Sequence, residues 1–301
     1  MFATRSGAAK LSLIVITGLI ALKVTVAVIT GSISIFAQAV DSFLDLLAVL
    51  ITFFAVIIAS RPADERHAFG HGKVENIAAT VQAVLILTAG ALIIYTAVRR
   101  IIMGTAIELT EAGIGVMAVS IIASIFLSRH LLKVARTTDS IALEANARNI
   151  AADVYSAAGV LVGLAVIRLT GLNILDPIIA IAVALIILKA AYDVMRRSFG
   201  GLIDVKLPEA EEKVIKECIM MYYGELVSFH ALRTRKAGNQ RYVDLHLIMP
   251  KKISVAASHQ ICDRIEQSIK KRLHHTSVSI HVEPCDENCD LCPIPSERCQ
   301  P

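Results

Sequence analysis

Several long apolar stretches limit what this chain can fold into. Ile77–Val98 is a run of 22 residues without a charge, and Ala112–Ser128 is another of 17. A helix that crosses a bilayer needs about 20 mainly apolar residues. If a few interrupting charges are allowed, the sequence predicts six membrane-spanning helices. They are expected at Leu11–Thr30, Ser32–Ala59, Asn76–Val98, Glu111–Leu132, Asn149–Arg168 and Pro177–Val194.

The overall composition excludes several classes of protein. The 301 residues are 55% hydrophobic and 19% charged, whereas soluble domains are about 45–50% apolar and about 25% charged. This excess excludes a disordered chain and argues against a soluble enzyme. The sequence has no phosphate-binding loop, nucleotide motif or nucleophile–base pair, so neither enzymatic activity nor ATP use is expected. A net charge of +4 is too small to indicate a nucleic-acid partner.

The distribution of Lys and Arg predicts how the helices are oriented in the lipid bilayer. Ten of these residues flank the predicted helices on the side of the N-terminus, and three flank them on the other side. Since Lys and Arg accumulate in cytoplasmic loops, both termini are expected in the cytoplasm, with the helices in the inner (plasma) membrane. The first apolar stretch lacks a small-residue cleavage site, so we interpret it as a helix and not as a signal peptide.

The composition changes at about Lys206. Residues 206–301 contain 14 Lys and Arg and 13 Asp and Glu, a mixture typical of a soluble domain. Hydrophobic periodicity and turn residues predict the order α-β-β-α-β, a small two-layer α+β domain of the ferredoxin-like or metallochaperone-like type. The sequence thus predicts a six-helix transmembrane domain at 1–205, a cytosolic αββαβ domain at 206–284 and a Cys-rich tail at 285–301.

Carboxylates within the predicted membrane helices indicate a cation site. Asp41 and Asp45 lie four positions apart in the second helix, so they share a face. Asn149 and Asp153 have the same spacing in the fifth. An ionisable side chain at mid-helix costs roughly 2.5–3.5 kcal/mol on insertion scales, which favours a bound cation or an ion path. Hydrogen bonding between helices, or a misplaced span boundary, is the alternative.

Such a group of carboxylates also suits metal/proton exchange. Neighbouring acids share charge, so protons and a divalent metal compete for one site. Lys23 is the remaining charge within a predicted span. It could line a pathway, although snorkelling to the interface or an internal ion pair is the more ordinary interpretation.

The loop after the second helix contains a second candidate metal site. Asp64, His67 and His71 form a D-x2-H-x3-H pattern that one compact turn could bring together around a metal. The alternative is a solvated cytoplasmic loop with no metal.

The soluble domain contains a third candidate site. Alternation along the last two strands places His246, His281 and Glu283 on the polar face of one sheet, with Val278, Ile280 and Val282 facing inward. His230 and His259 are candidates to join them in a binuclear metal cluster. The alternative is a set of ordinary surface histidines.

The C-terminal cysteines form a fourth, weaker candidate. Four thiolates, which a reducing cytosol would keep unpaired, could hold zinc, ferrous iron or a transient cluster. The spacing is not that of a standard zinc ribbon, so a tail with free or redox-active thiols is the alternative. The residues are Cys285, Cys289, Cys292 and Cys299.

Taken together, these features resemble the cation diffusion facilitator family, and in particular its bacterial ferrous-iron/zinc effluxers. The resemblance rests on the two carboxylate motifs, the R-P-A-D-E-R-H-A-F-G-H-G-K loop at residues 61–73 and the histidine-containing αββαβ domain. It implies a homodimeric metal/proton antiporter that works by alternating access, with the four-residue membrane set as its transport site. It also implies a binuclear cytosolic cluster, and a salt bridge between Lys73 and Asp204 at the membrane–cytosol junction.

Two positions depart from the pattern of these relatives. Many of them have His where this chain has Asn149, and often Asp where it has Glu283. Because oxygen ligands suit harder ions than imidazole does, we expect Mn²⁺ or Fe²⁺ as the metal, with Zn²⁺, Co²⁺ and Cd²⁺ also possible. The alternative function is a membrane-anchored metal sensor or scaffold without net transport.

Overall fold

The computed structural model describes residues 3–30, 33–103, 111–170 and 174–285, except for the side chains of residues 30, 33–41, 44, 111–114, 163–165, 167–170 and 176. The chain divides into two compact units, Met1–Leu202 and Ile203–Pro301.

The described residues of the first unit form six long helices. They are α1 (Arg5–Thr30), α2 (Ile33–Ala59), α3 (Lys73–Met103), α4 (Glu111–Thr138), α5 (Ile141–Thr170) and α6 (Leu175–Leu202). Each predicted span falls on one of these helices, except that Ser32 lies outside the described residues, and most helices are longer than the span. For example, α5 begins about two turns before Asn149, because polar residues can continue a helix beyond the hydrocarbon region.

Several of these helices are long and apolar enough to cross a membrane. Within the described ranges, four segments meet this requirement in full: Arg5–Ile29, Lys73–Met103, Gly115–Thr138 and Pro177–Leu202. In α2, the described apolar segment Asp45–Ala59 is shorter. The first unit is therefore a helical transmembrane domain.

Small residues allow close packing between α3 and α6. Ala79, Ala83 and Ala191 are fully buried. A Cβ atom added to Gly90 would lie 2.8 Å from Leu188 Cδ2, so a larger residue there would require the Leu188 side chain to move. Without a hydrophobic driving force between helices in lipid, such close packing is a main source of helix association.

A buried polar network joins distant parts of this unit. Glu75, at the start of α3, has no exposed surface. Its carboxylate accepts hydrogen bonds from Arg5 Nη1 (2.9 Å) and from Ser140 Oγ (2.6 Å). These contacts connect α1, α3 and the turn between α4 and α5.

The second unit has the predicted αββαβ order. Its elements are α7 (Glu209–Met220), β1 (Ser228–Ala237), β2 (Gln240–Met249), α8 (Val255–Arg272) and β3 (Thr276–Pro284). The sheet order is β1-β2-β3; β1 and β2 are antiparallel, whereas β2 and β3 are parallel. Gly238, at φ +61°, turns the chain between β1 and β2.

The core of this unit lies between the two helices and one face of the sheet. Apolar side chains at helical spacing in α8 meet alternate residues of β2. They include Ile261, Ile265 and Ile269 from α8, and Val243, Leu245 and Leu247 from β2. Val278 and Ile280 of β3 pack against this core as predicted. Val282 lies opposite the buried Leu247 but is 37% exposed, so β3 extends beyond the core there.

Candidate metal sites

A cavity of about 280 Å³ lies between α1, α2, α4 and α5. Asp45 of α2 and Asp153 of α5 both line it. A water molecule takes about 30 Å³ in the liquid, so the cavity has room for a cation with some of its water. The structure thus brings together two acids that are 108 positions apart in the chain.

The other two residues of the predicted transport site, Asp41 and Asn149, are not among the described lining residues of this cavity. Asp41 lies on α2 one turn before Asp45, and its side chain is outside the description. Asn149 lies one turn before Asp153 on α5 and is half-buried. Among the described residues, the cavity lining includes Asp45 and Asp153 but not Asn149.

The cavity also contains other polar groups, of which only Lys23 was a candidate lining residue from the sequence. Lys23 of α1 lines it, and its Nζ donates a hydrogen bond to Ser42 Oγ at 2.5 Å. Hydroxyl oxygens complete a lining suited to hard or hydrated cations. The serines are Ser42, Ser120, Ser124 and Ser156. Ser42 and Ser156 each lie three positions from one of the acids, and Ser120 and Ser124 lie four positions apart on α4. This helical spacing is a signal in the sequence that could have identified them.

In the loop between α2 and α3, the three predicted ligands converge. The ligand atoms of Asp64, His67 and His71 all lie within 4.8 Å of one another. Asp64 Oδ1 is 3.1 Å from His67 Nδ1, and Asp64 Oδ2 is 3.4 Å from His71 Nε2. Gly70, at φ +78°, turns the chain so that the two histidines approach each other.

Hydrogen bonds favour the ionised form of the Asp64 carboxylate. Asp64 Oδ1 accepts backbone hydrogen bonds from His67 (2.7 Å) and Arg66 (3.0 Å). These bonds, led by the one from His67, lower the pKa of Asp64 below its ordinary value. His71 Nδ1 is buried and has no hydrogen-bond partner among the described residues. An anionic carboxylate beside two imidazoles is a ligand set that suits Zn²⁺ and similar metals.

In the second unit, three histidines lie in one row across the sheet. The strand register pairs His230 with His246 and His246 with His281. Glu283 lies two residues further along β3, on the same face. Its Oε2 is 2.9 Å from His230 Nε2, and its Oε1 is 2.8 Å from His246 Nδ1. His281 Nε2 is further away, 3.7 Å from Glu283 Oε1.

The charge on Glu283 is stabilised by these contacts. Hydrogen bonds from His230 and then His246 lower the pKa of Glu283. The ligand atoms of His230, His246 and Glu283 lie within 4.8 Å of one another. His259 lies elsewhere in this chain: it is on α8, 3.5 Å from Asp263, with a side chain 73% exposed.

The predicted Lys73–Asp204 pair would join the two units, and it stays a prediction. Within the first unit, Lys73 Nζ donates a hydrogen bond to the Leu202 carbonyl oxygen at 3.3 Å. Within the second unit, Arg235 Nη1 lies 3.5 Å from Asp204 Oδ1.

Of the four tail cysteines, only Cys285 is within the described residues. It is buried, and its N–H donates a hydrogen bond to the Met249 carbonyl at the end of the sheet. Cys289, Cys292 and Cys299 lie outside the described residues. The four-thiolate site therefore stays a prediction.

Two family models cover most of the chain. Residues 9–203 match the cation efflux transmembrane domain. Residues 207–285 match the ZT_dimer model, described as the cytoplasmic domain of cation efflux proteins.

Curated relatives match over most of their length. The chain is 31% identical over 266 residues to the uncharacterized transporter sll1263 of Synechocystis, covering 88% of this chain and 86% of the relative. It is 32% identical over 255 residues to the cation-efflux pump FieF of Pectobacterium atrosepticum, covering 85% and 84%.

Similar solved structures cover about a quarter of the chain. A zinc-form structure of CzrB is 29% identical and covers 27% of this chain and 92% of its own, with a TM-score of 0.26. The metal-bound C-terminal domain of the CzcD transporter from Thermotoga maritima is 22% identical and covers 26% and 94%, with a TM-score of 0.24.

Proposed function

Because this chain belongs to the cation diffusion facilitator family, it is a multi-pass cation efflux transporter, and we propose that it exports divalent transition metals in exchange for protons. The observation that carries this proposal is the shared cavity of Asp45 and Asp153. Two carboxylates that line one cavity inside a membrane domain attract a divalent cation. They also attract protons once the metal has left.

The identity of the transported metal is a second part of the proposal. The lining of the cavity offers carboxylate and hydroxyl oxygens, and Asn149 would add an amide oxygen. Such ligands suit Mn²⁺ or Fe²⁺, with Zn²⁺, Co²⁺ and Cd²⁺ as further substrates. The loop and cytosolic clusters would hold metal on the cytoplasmic side. There they would deliver it or stabilise the protein.

The assembly and orientation are proposals of the same kind. The ZT_dimer match supports a homodimer, and alternating access would expose the cavity to one side of the membrane at a time. We place both termini in the cytoplasm and the helices in the inner membrane, because Lys and Arg flank the helices mainly on that side. A sensor without transport would not need Asp45 and Asp153 in the membrane.

Flux measurements in proteoliposomes test this function. Uptake of Mn²⁺, Fe²⁺, Zn²⁺, Co²⁺ and Cd²⁺ is measured with and without a pH gradient. Asp45→Asn and Asp153→Asn each keep the shape of the side chain, and we expect each to abolish uptake. Asp193→Asn, at an exposed position of α6, is the matched control and should keep it. Unchanged uptake by Asp153→Asn would contradict the proposed site. Uptake that does not depend on the pH gradient would contradict metal/proton antiport.

A further inference from the structure

Lys23 is a charged residue within an apolar helix, seven positions before the last residue of α1. It lies 18 positions after the first residue of α1, in a segment that is long and apolar enough to cross a membrane. A lysine at such a depth costs several kcal/mol unless it reaches water or a polar partner. Its position therefore needs a physical explanation.

Snorkelling does not explain the position of this side chain. A snorkelling lysine extends its ammonium to the membrane–water interface. Lys23 Nζ instead donates a hydrogen bond to Ser42 Oγ of α2 at 2.5 Å, and Ser42 is only 5% exposed. The ammonium is therefore directed into the helix bundle.

The direction of the ammonium brings it to the carboxylates. Ser42 lies three positions before Asp45, so the two side chains are neighbours on α2. Lys23, Ser42, Asp45 and Asp153 all line the same cavity. Among the described residues of this lining, Lys23 is the one cation, and it shares the lining with two acids.

A fixed positive charge at this place changes the electrostatics of the cavity. With Lys23, Asp45 and Asp153 all charged, the net charge of the described lining is −1 without metal and +1 with a divalent metal. Without Lys23 the net charge would be −2 without metal and 0 with it. The lysine therefore stabilises the empty cavity and repels the divalent ion. Both effects weaken metal binding, and at low dielectric they are large.

We propose that Lys23 is an affinity-setting residue, a tethered cation that keeps metal binding weak enough for release. This proposal rests on the proposed function, because it concerns the metal held by Asp45 and Asp153. A transport site must bind its ion firmly enough to take it up and weakly enough to let it go. In this cavity the two acids provide the attraction, and the ammonium held at Ser42 limits it.

The test compares variants that remove or keep the charge. Lys23→Met and Lys23→Gln remove it, whereas Lys23→Arg keeps it. Full-length protein in proteoliposomes is assayed for the KM and kcat of Zn²⁺ and Mn²⁺ uptake. We expect both KM and kcat to fall by about tenfold or more without the charge, a change in KM of about 1.4 kcal/mol. Lys23→Arg should stay within about twofold of the wild type. An unchanged or raised KM in Lys23→Met and Lys23→Gln would overturn the proposal.

A second variant keeps the proposal testable if the neutral variants do not fold. Ser42→Ala leaves the ammonium in place but removes the hydroxyl that holds it. Without this bond the ammonium interacts more strongly with the carboxylates and competes with the metal, so we expect KM to rise, opposite to the effect of Lys23→Met. A lower or unchanged KM in Ser42→Ala would contradict the tether.

Asp153→Asn in the same assay separates the two possible failures. If Asp153→Asn is inactive while the Lys23 variants keep the wild-type KM, only the role of Lys23 is wrong. If Asp153→Asn transports metal as the wild type does, the proposed transport site itself is wrong.

Discussion

Arg5 and Glu75, 70 positions apart, form an ion pair in which the carboxylate is fully buried and the guanidinium is partly exposed. The pair connects the first turn of α1 to the first turn of α3. Removing one partner of a buried pair costs more than removing both, because an uncompensated charge remains.

The first prediction concerns the stability of this junction. We expect Arg5→Ala to lower the free energy of unfolding by about 3–5 kcal/mol, because it leaves the Glu75 charge buried. Glu75→Gln should cost less, since the Arg5 guanidinium reaches solvent. Thermal unfolding in detergent measures both changes, and the double variant Arg5→Ala/Glu75→Gln is expected to be more stable than Arg5→Ala alone. If the loss of unfolding free energy in the double variant equalled the sum of the losses in the two single variants, the pairing would be contradicted.

The second prediction concerns metal selectivity. An imidazole at position 149 would add a nitrogen ligand to a set of oxygens, which favours Zn²⁺ over Mn²⁺. We expect Asn149→His to raise the ratio of Zn²⁺ to Mn²⁺ uptake by about tenfold, or about 1.4 kcal/mol of differential binding. Asn149→Asp keeps an oxygen ligand and is the control. An unchanged ratio in Asn149→His would remove Asn149 from the ligand set.

The third prediction concerns metal at the histidine row of the sheet. If Zn²⁺ binds there, it stabilises the folded form by about 2.7 kcal/mol at a concentration of 100 times its Kd. Calorimetry of the full chain should show a higher unfolding temperature with Zn²⁺ and a lower one after chelation. Glu283→Gln should reduce this shift, whereas His274→Gln, at an exposed position between α8 and β3, should keep it. An equal shift in both variants would place the bound metal elsewhere.

The fourth prediction concerns acid stability. Arg241 contacts both carboxylate oxygens of Glu211, at 2.7 and 2.9 Å, and these bonds lower the pKa of Glu211 below 4.5. The ionised carboxylate thus contributes its full stability above about pH 4.5. That contribution is lost as the pH falls through the lowered pKa.

Replacement of Glu211 tests this dependence. We expect Glu211→Gln to cost about 1–2 kcal/mol at pH 7, because the carboxylate is partly exposed. It should also weaken the loss of stability below pH 4.5. Glu209→Gln, an exposed neighbour in the first turn of α7, is the control. Parallel pH profiles of the wild type and Glu211→Gln would contradict the assignment.

The fold was largely predictable because its signals are local. Apolar length identified the membrane helices, and alternation identified β2 and β3. The same alternation placed His246, His281 and Glu283 on one face, where the structure has them. Local patterns were less informative at the end of β3, where Val282 extends beyond the core.

Contacts between distant segments were not predictable from these patterns. The position of Glu75 near the start of α3 gives no sign that Arg5 and Ser140 bind its carboxylate. Lys23 could be recognised as a charge within a span, but its direction depends on Ser42, which lies on another helix. Tertiary packing decides both cases, and one sequence does not contain that information in its periodicity.

The parallel pairing of β2 with β3 connects the assembly of the cytosolic cluster to the folding of its domain. His246 pairs with His281 in the same register that buries Leu245 beside Ile280. A shift of β3 by one residue would turn His281 and Glu283 toward the helices and Val282 toward water. Misaligned molecules would thus lose the apolar core and the ligand row together. Metal binding at the proposed cluster would therefore require correct alignment of β3.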